Sequence, residues 1–161
     1  MRNMRTTRAR GFTLIEILIV VIILGILAAI VIPQFTSASN DARKSNVSST
    51  LQTLRSQVEL YKLQHNDNLP NLTDTNNWAY LVKKTDVNSS LTPAAGAVTF
   101  GPYMQDVPVN ALTGTKVPVI KNGDGSAPVA GADYIYDYNG GNGTGRMWAT
   151  TDTTAGTIFV P

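Results

Sequence analysis

Apolar residues follow three successive patterns along this chain. From Ile17 to Ile32 they run without a polar interruption. The segment Phe12 to Ile32 holds 21 residues, about 31 Å as a helix, which is enough to cross a hydrocarbon core. After a polar stretch, Thr36–Ser49, apolar positions return at Val47, Leu51, Leu54, Val58 and Tyr61, in alternating steps of four and three. That spacing predicts an amphipathic helix with one face against a partner. Arg55 and Glu59, at i and i+4 on another face, are placed to pair weakly. Asn66-Asp67-Asn68 and Pro70 close the helix, so Phe12 to about Leu63 reads as one helix of roughly 78 Å. A helix that long has to lean on other elements.

The third pattern is short-range. From Pro93 to Pro161 the chain carries 11 of its 13 glycines and six of its eight prolines, a density that excludes another long helix and suits short strands and turns. Candidate strands are Val117–Ile120, Tyr134–Tyr138, Arg146–Thr150 and Thr157–Val160. Tyr134, Tyr136 and Tyr138 alternate with Ile135 and Asp137, as in a half-buried strand. Asn139-Gly140-Gly141-Asn142-Gly143 forms a loop, and Asn76–Val82 a short helix covering the core edge. The fold class is α+β: a long N-terminal helix packed on a small antiparallel C-terminal sheet.

Three residues stand out in the apolar run. Glu16 is a carboxylate in a segment otherwise fit for lipid, at a cost of roughly 2.5–3.5 kcal/mol. It is explained if a positive charge from another copy of the chain meets it. Gly25 weakens the helix by about 1 kcal/mol against alanine. Pro33 removes a helical hydrogen bond and is expected to kink or break the backbone. Ahead of the run, Arg2, Arg5, Arg8 and Arg10 accompany no acid, and such a basic flank stays in the cytoplasm. No small-residue cleavage site follows the run, as an ordinary secretory signal would require. Gly11 offers a backbone that a peptidase can approach without a side chain in the way.

Charge and composition exclude several functions. The chain carries 13 Lys+Arg against 11 Asp+Glu, a net +2. Without residues 1–11 nine basic residues remain against 11 acids, a net −2, and no basic face for nucleic acid is expected. There is one histidine, His65, and no cysteine. Transition-metal clusters and Cys/His nucleophiles therefore lack raw material, and His65 reads as a polar residue at a helix end. No Gly-x-Ser-x-Gly elbow, phosphate loop or dinucleotide fingerprint occurs, and an enzyme is not expected. Asp124, Asp133, Asp137 and Asp152, with carbonyl-rich glycine loops, offer oxygen ligands of the kind calcium takes. Asn122-Gly123-Asp124-Gly125 is not a complete EF-hand loop, and the alternative for all four is turn and loop chemistry.

The basic leader ending in Gly11, then Phe12-Thr13-Leu14-Ile15-Glu16, then the apolar run through Leu24-Gly25-Ile26-Leu27-Ala28-Ala29-Ile30-Val31-Ile32-Pro33, resembles the type IV prepilin family, which includes the pseudopilins of type II secretion. The resemblance is specific over residues 1–63. It implies cleavage between Gly11 and Phe12 by a prepilin peptidase, methylation of the new terminus, and polymerisation into a filament with the apolar helices at its core. It further implies that Phe12, Glu16, Gly25 and Pro33 serve assembly, with the Gly25–Pro33 stretch able to melt. Implied segments are a leader (1–11), a transmembrane and filament-core helix (12–33) and a pilin-like head (34–161). Gly101-Pro102-Tyr103-Met104 and Val107-Pro108-Val109-Asn110 look like elements of the pseudopilin C-terminal half, although Ala111 replaces the more usual proline. Major pseudopilins bind calcium in a C-terminal loop, which raises the same idea for the four aspartates. Many type IVa major pilins carry a disulfide, which this chain cannot form.

On this resemblance the chain is expected to be a pseudopilus subunit of a type II secretion system, helping to export folded proteins. A type IV pilin, major or minor, for adhesion, motility or DNA uptake is the alternative within the family; an uncleaved membrane-anchored binding module is the alternative outside it. Implied partners are further copies of the chain, the peptidase, an inner-membrane assembly platform and minor pseudopilins. The implied location is the bacterial inner membrane, single-pass, with a cytoplasmic N-terminus and a periplasmic or extracellular head.

Overall fold

The computed structural model describes residues 11–73, 78–115 and 119–160. The leader residues 1–10, Asn76 and Asn77 of the expected short helix, and Val117 and Pro118 of the first expected strand lie outside them. The chain forms two compact units, Met1–Asp41 and Ala42–Pro161.

One helix, α1 (Leu14–Gln64), supplies all the regular structure of the first unit and opens the second. It stays helical through Pro33, so the break that was one of the two expected outcomes there does not occur. The proline still removes one N–H donor from the helix. Just beyond it, the Thr36 hydroxyl donates to the Ile32 carbonyl at 3.1 Å. Large apolar side chains from Ile17 to Ile32 are each between 40 % and 65 % exposed, so none of the described residues of the first unit covers them.

The second unit does have a core. Val47, Leu51, Leu54, Val58 and Tyr61, the stripe expected from spacing, are all buried and pack with Leu72, Trp78, Leu81, Tyr134, Tyr136, Met147 and Ala149. The helix ends where the polar cluster stands: Asn66 and Asp67 take left-handed φ values of 53° and 63°. The Asp67 amide donates back to the Lys62 carbonyl at 3.0 Å, a closing bond typical of helix C-termini. A four-residue helix, α2 (Ala79–Val82), follows. Arg55 does not pair with Glu59. Its Nε and Nη2 donate to the Met147 carbonyl at 3.1 and 2.7 Å, and Glu59 meets Lys62 at 3.6 Å instead.

Two small sheets complete the unit. β1 (Thr85–Asp86) and β2 (Thr99–Phe100) pair antiparallel. β3 (Ile120–Asn122), β4 (Tyr134–Tyr136) and β5 (Met147–Ala149) form the second sheet. In it β4–β5 is antiparallel and β3–β4 parallel, so this sheet is mixed where an antiparallel one was expected. The expected last strand, Thr157–Val160, forms a Thr150–Ile158 bridge rather than a strand; the Phe159 amide donates to the Ala149 carbonyl and the Thr151 amide to the Thr157 carbonyl, both at 2.8 Å. Gly156 starts that segment at φ +65°, pressed against the Val129 backbone.

The β4 alternation is only half realised, because Ile135 is as fully buried as Tyr134 and Tyr136. The loop after β3 covers the other face of the sheet. A Cβ at Gly123 would lie 2.8 Å from an Ile135 methyl, and one at Gly125 (φ +75°) 2.4 Å from the Trp148 ring.

Asn110 ties these pieces together. Fully buried, it donates Nδ2 to the carbonyls of Asp133 (2.8 Å) and Thr150 (3.0 Å), while its Oδ1 accepts the Leu112 amide at 2.9 Å. Asn110→Ala would leave these buried groups without the side chain that serves them and should cost about 2–4 kcal/mol. A lowered melting temperature of the full chain in detergent, read by near-UV circular dichroism, checks this; an unchanged transition would contradict it.

Candidate functional site

The start of α1 is a reciprocal cap. Thr13 precedes the first helical residue, and its carbonyl accepts the Ile17 amide at 3.4 Å. The Thr13 amide and hydroxyl both donate to Glu16 Oε2 at 2.8 Å, and the Glu16 amide donates to Thr13 Oγ1 at 3.3 Å. This is the Thr-x-x-Glu capping box, which satisfies helix-end donors from both sides. The four-residue signature was present in the sequence, but the cost of a carboxylate in an apolar run drew the reading elsewhere. Both Thr13 donors converge on Oε2, and no bond among the described residues engages Oε1.

Gly11 and Phe12 lie ahead of this cap. A Cβ at Gly11 meets nothing within 4 Å, and the Phe12 ring is 83 % exposed. Behind the cap, α1 contains an 18-residue window of mean hydropathy 3.3, none of it buried within the chain. By length and composition it is the one helix among the described residues fit to cross a membrane. Gly25 sits in open space, helical like its neighbours.

The four aspartates are not brought together. Asp124 accepts the Ser126 amide (2.9 Å) and hydroxyl (2.6 Å). Asp133 is buried and takes the Thr113 hydroxyl on one oxygen and the Val119 amide, at 2.8 Å, on the other. Asp137 accepts the Thr144 amide (2.9 Å) and hydroxyl (2.6 Å), and Asp152 the Ala155 amide at 2.6 Å. Among the described residues no group of three or more acidic or histidine side chains is arranged to hold a metal. The four are therefore not grouped as a shared calcium site: Asp124, Asp137 and Asp152 bond within their own loops, and Asp133 ties two segments distant in sequence to β4. Bonds from Ser126 hold the Asp124 carboxyl below the usual aspartate value, and the Ala155 amide does the same for Asp152. Such groups favour the fold above the unfolded aspartate pKa and lose that contribution as pH falls through their lower folded values.

His65 stands at the end of α1, as expected. It is fully buried, its ring stacked on Tyr61 at 3.8 Å between centroids. Nδ1 lies 2.8 Å from the Tyr61 carbonyl, and since a carbonyl only accepts, Nδ1 carries the proton. Nε2 lies 2.8 Å from Thr85 Oγ1. The ring thus fastens the end of α1 to β1.

The first unit thus presents Gly11 and Phe12 ahead of a capped helix start that carries the single carboxylate Glu16, followed by an apolar helix left exposed, and the comparisons with known proteins bear on these same residues. The prokaryotic N-terminal methylation motif matches residues 6–32. The chain is 42 % identical over 77 residues to the type II secretion system core protein G of Dickeya chrysanthemi, covering 48 % of each chain. It is 44 % identical over 57 residues to the type IV narrow pilus major component PilA5 of Thermus thermophilus, covering 35 % of this chain and 49 % of that protein. With core protein G of Pseudomonas aeruginosa it shares 40 % over 62 residues, 38 % of this chain and 44 % of the other. Each match thus spans less than half of the relative's length. No solved structure matches the chain.

If the aspartates serve only their own turns, millimolar calcium and chelator should give superimposable melting curves for the full chain in detergent. A bound ion would stabilise by about 2.7 kcal/mol at 100 times Kd, so a reproducible upward shift with calcium would restore the metal site.

Proposed function

We propose that this chain is a structural subunit of a type II secretion pseudopilus, helping to move folded proteins outward, and that it has no catalytic role. The observation that carries the reading is the uncovered apolar half of α1 directly behind Gly11-Phe12-Thr13-Leu14-Ile15-Glu16, with the methylation motif over the same residues. Sixteen consecutive lipid-compatible residues, Ile17–Ile32, rest stably in a bilayer or against copies of themselves, and a filament subunit uses both in turn.

Residues 1–11 are the leader, 12–33 the membrane and filament-core helix, and 34–161 the remainder, beginning with the amphipathic half of α1. The leader arginines keep the N-terminus in the cytoplasm; the peptidase cuts after Gly11, and Phe12 becomes the methylated terminus. Partners are other copies of the chain, the peptidase, an assembly platform and minor pseudopilins of the inner membrane. A type IV pilin is the second reading, favoured by the similarity to the narrow pilus component. A deletion strain that loses secretion but keeps surface fibres supports the first; one that loses fibres but secretes supports the second.

In assembly, the cationic amine of Phe12 on one subunit meets Glu16 of its neighbour. Thr13 already occupies Oε2, so the amine's natural acceptor is Oε1. Removing one partner of a buried charge pair costs about 3–5 kcal/mol, whereas losing a helix cap costs about 1 kcal/mol. That difference separates the two roles of Glu16. Glu16→Ala should insert, be cut at Phe12 by mass spectrometry, and assemble poorly; Thr13→Val, which loses the hydroxyl's part of the cap but keeps the backbone amide on the Glu16 carboxylate, should assemble nearly normally. Equal defects in both would reduce Glu16 to a capping residue, and a mature protein beginning at Met1 would defeat the assignment.

A further inference from the structure

Three asparagines of the second unit are each followed by glycine: Asn122-Gly123, Asn139-Gly140 and Asn142-Gly143. In such a pair the glycine's backbone nitrogen can reach the asparagine's side-chain carbonyl carbon, because no Cβ stands in the way. The three sequences are alike, but the fold treats them differently.

Asn122 ends β3, and both of its reacting groups are engaged. Its Oδ1 accepts the amides of Tyr138 (3.0 Å) and Asn139 (3.1 Å), and the Gly123 amide donates to the Tyr136 carbonyl at 3.1 Å. At Asn142 the side chain is exposed, but the Gly143 amide donates to the Tyr138 carbonyl at 2.9 Å. Gly143 is also packed so closely on the Asp137 backbone that a Cβ there would collide with it. Asn139 is the exception. Its side chain is exposed, as is Gly140, and neither the Asn139 carboxamide nor the Gly140 nitrogen has a hydrogen bond among the described residues. A Cβ at Gly140 would meet nothing within 4 Å, so no neighbour resists movement of that peptide. Exposed loop tips of this kind open most readily.

We propose that Asn139 is a site of spontaneous deamidation and that the fold protects Asn122 and Asn142 from the same reaction. The Gly140 nitrogen, giving up its proton, forms a bond to Asn139 Cγ; the Cγ–Nδ2 bond breaks and ammonia leaves. Water then opens the resulting five-membered imide at either carbonyl, giving aspartate or isoaspartate. The sum is asparagine and water to acid and ammonia, with no other reactant. The product adds a carboxylate two residues after Asp137. As isoaspartate it also lengthens the main chain by a methylene, next to the point where Asn122 Oδ1 ties the Tyr138 and Asn139 amides to β3.

The test is to incubate the full chain in detergent, in warm and mildly alkaline buffer, and to sample it over days. Trypsin cuts after Lys121 and Arg146, and the fragment 122–146 carries all three pairs with no internal basic residue. Mass spectrometry of that fragment assigns each amide-to-acid exchange to its residue. Asn139 should convert at least about fivefold faster than Asn122 or Asn142, a factor that one hydrogen bond contributes to an opening equilibrium. The same fragment incubated after excision has no fold to protect it, and there the three rates should come together. Conversion of Asn122 or Asn142 as fast as Asn139 in the folded chain would overturn the proposal. So would an Asn139 that stays intact in the folded chain while it converts in the free fragment, or a ranking that persists unchanged once the fold is gone.

Discussion

Water cannot be left against the apolar half of α1, and this constraint governs the rest of the molecule. The second unit closes its core with Val47, Leu51, Leu54, Val58 and Tyr61 on one face of the helix, and that core includes nothing from Ile17–Ile32. The hydrophobic effect scales with apolar area removed from water, about 25 cal/mol per Å². A run of residues 40–65 % exposed is therefore a strong and non-directional drive toward lipid or toward other copies. It cannot choose between arrangements, because lipid tails and leucine side chains are equally apolar. Register has to come from something polar.

Glu16 is the polar group in position to set it. Its carboxylate is divided in use: one oxygen serves the helix cap and the other has no bond among the described residues. The cap orients the side chain before any neighbour arrives, which lowers the ordering cost of an intersubunit pair. A carboxylate at this position with no cap would be free to rotate and would present a less defined target. On the proposed pairing the two roles are complementary, Thr13 holding the carboxylate that a second copy of the chain would meet.

Much of this was legible in the residues. Periodicity located the α1 stripe without error, since a 3.6-residue repeat over several turns has few alternative explanations. The positions of β4, β5 and the Asn139–Gly143 loop followed from glycine density and aromatic alternation. What was hidden depended on contacts between distant segments. Ile135 is buried because the loop bearing Gly123 and Gly125 folds over the sheet, and no local pattern encodes that cover. Arg55 abandons its helical neighbour for the Met147 carbonyl 92 residues on, a choice that i, i+4 rules cannot anticipate. The aspartates looked like a cluster because their spacing is compatible with convergence, but loop neighbours serve Asp124, Asp137 and Asp152, and the distant Thr113 and Val119 serve Asp133. His65, polar and near a helix end, gave no sign that Thr85 and the Tyr61 carbonyl would make its burial comfortable.

The central claim is that copies of this chain cover the apolar half of α1 in the working state. The chain has no cysteine, so single cysteines can be placed on it without background. Ile19→Cys and Ile23→Cys pairs co-expressed in assembling cells, then oxidised, should give a ladder of cross-linked dimers and higher multimers, whereas Lys62→Cys paired with Ile19→Cys should not. Monomers alone from every pair within the apolar run, in cells where the filament is otherwise intact, would mean that lipid rather than the chain itself covers this helix.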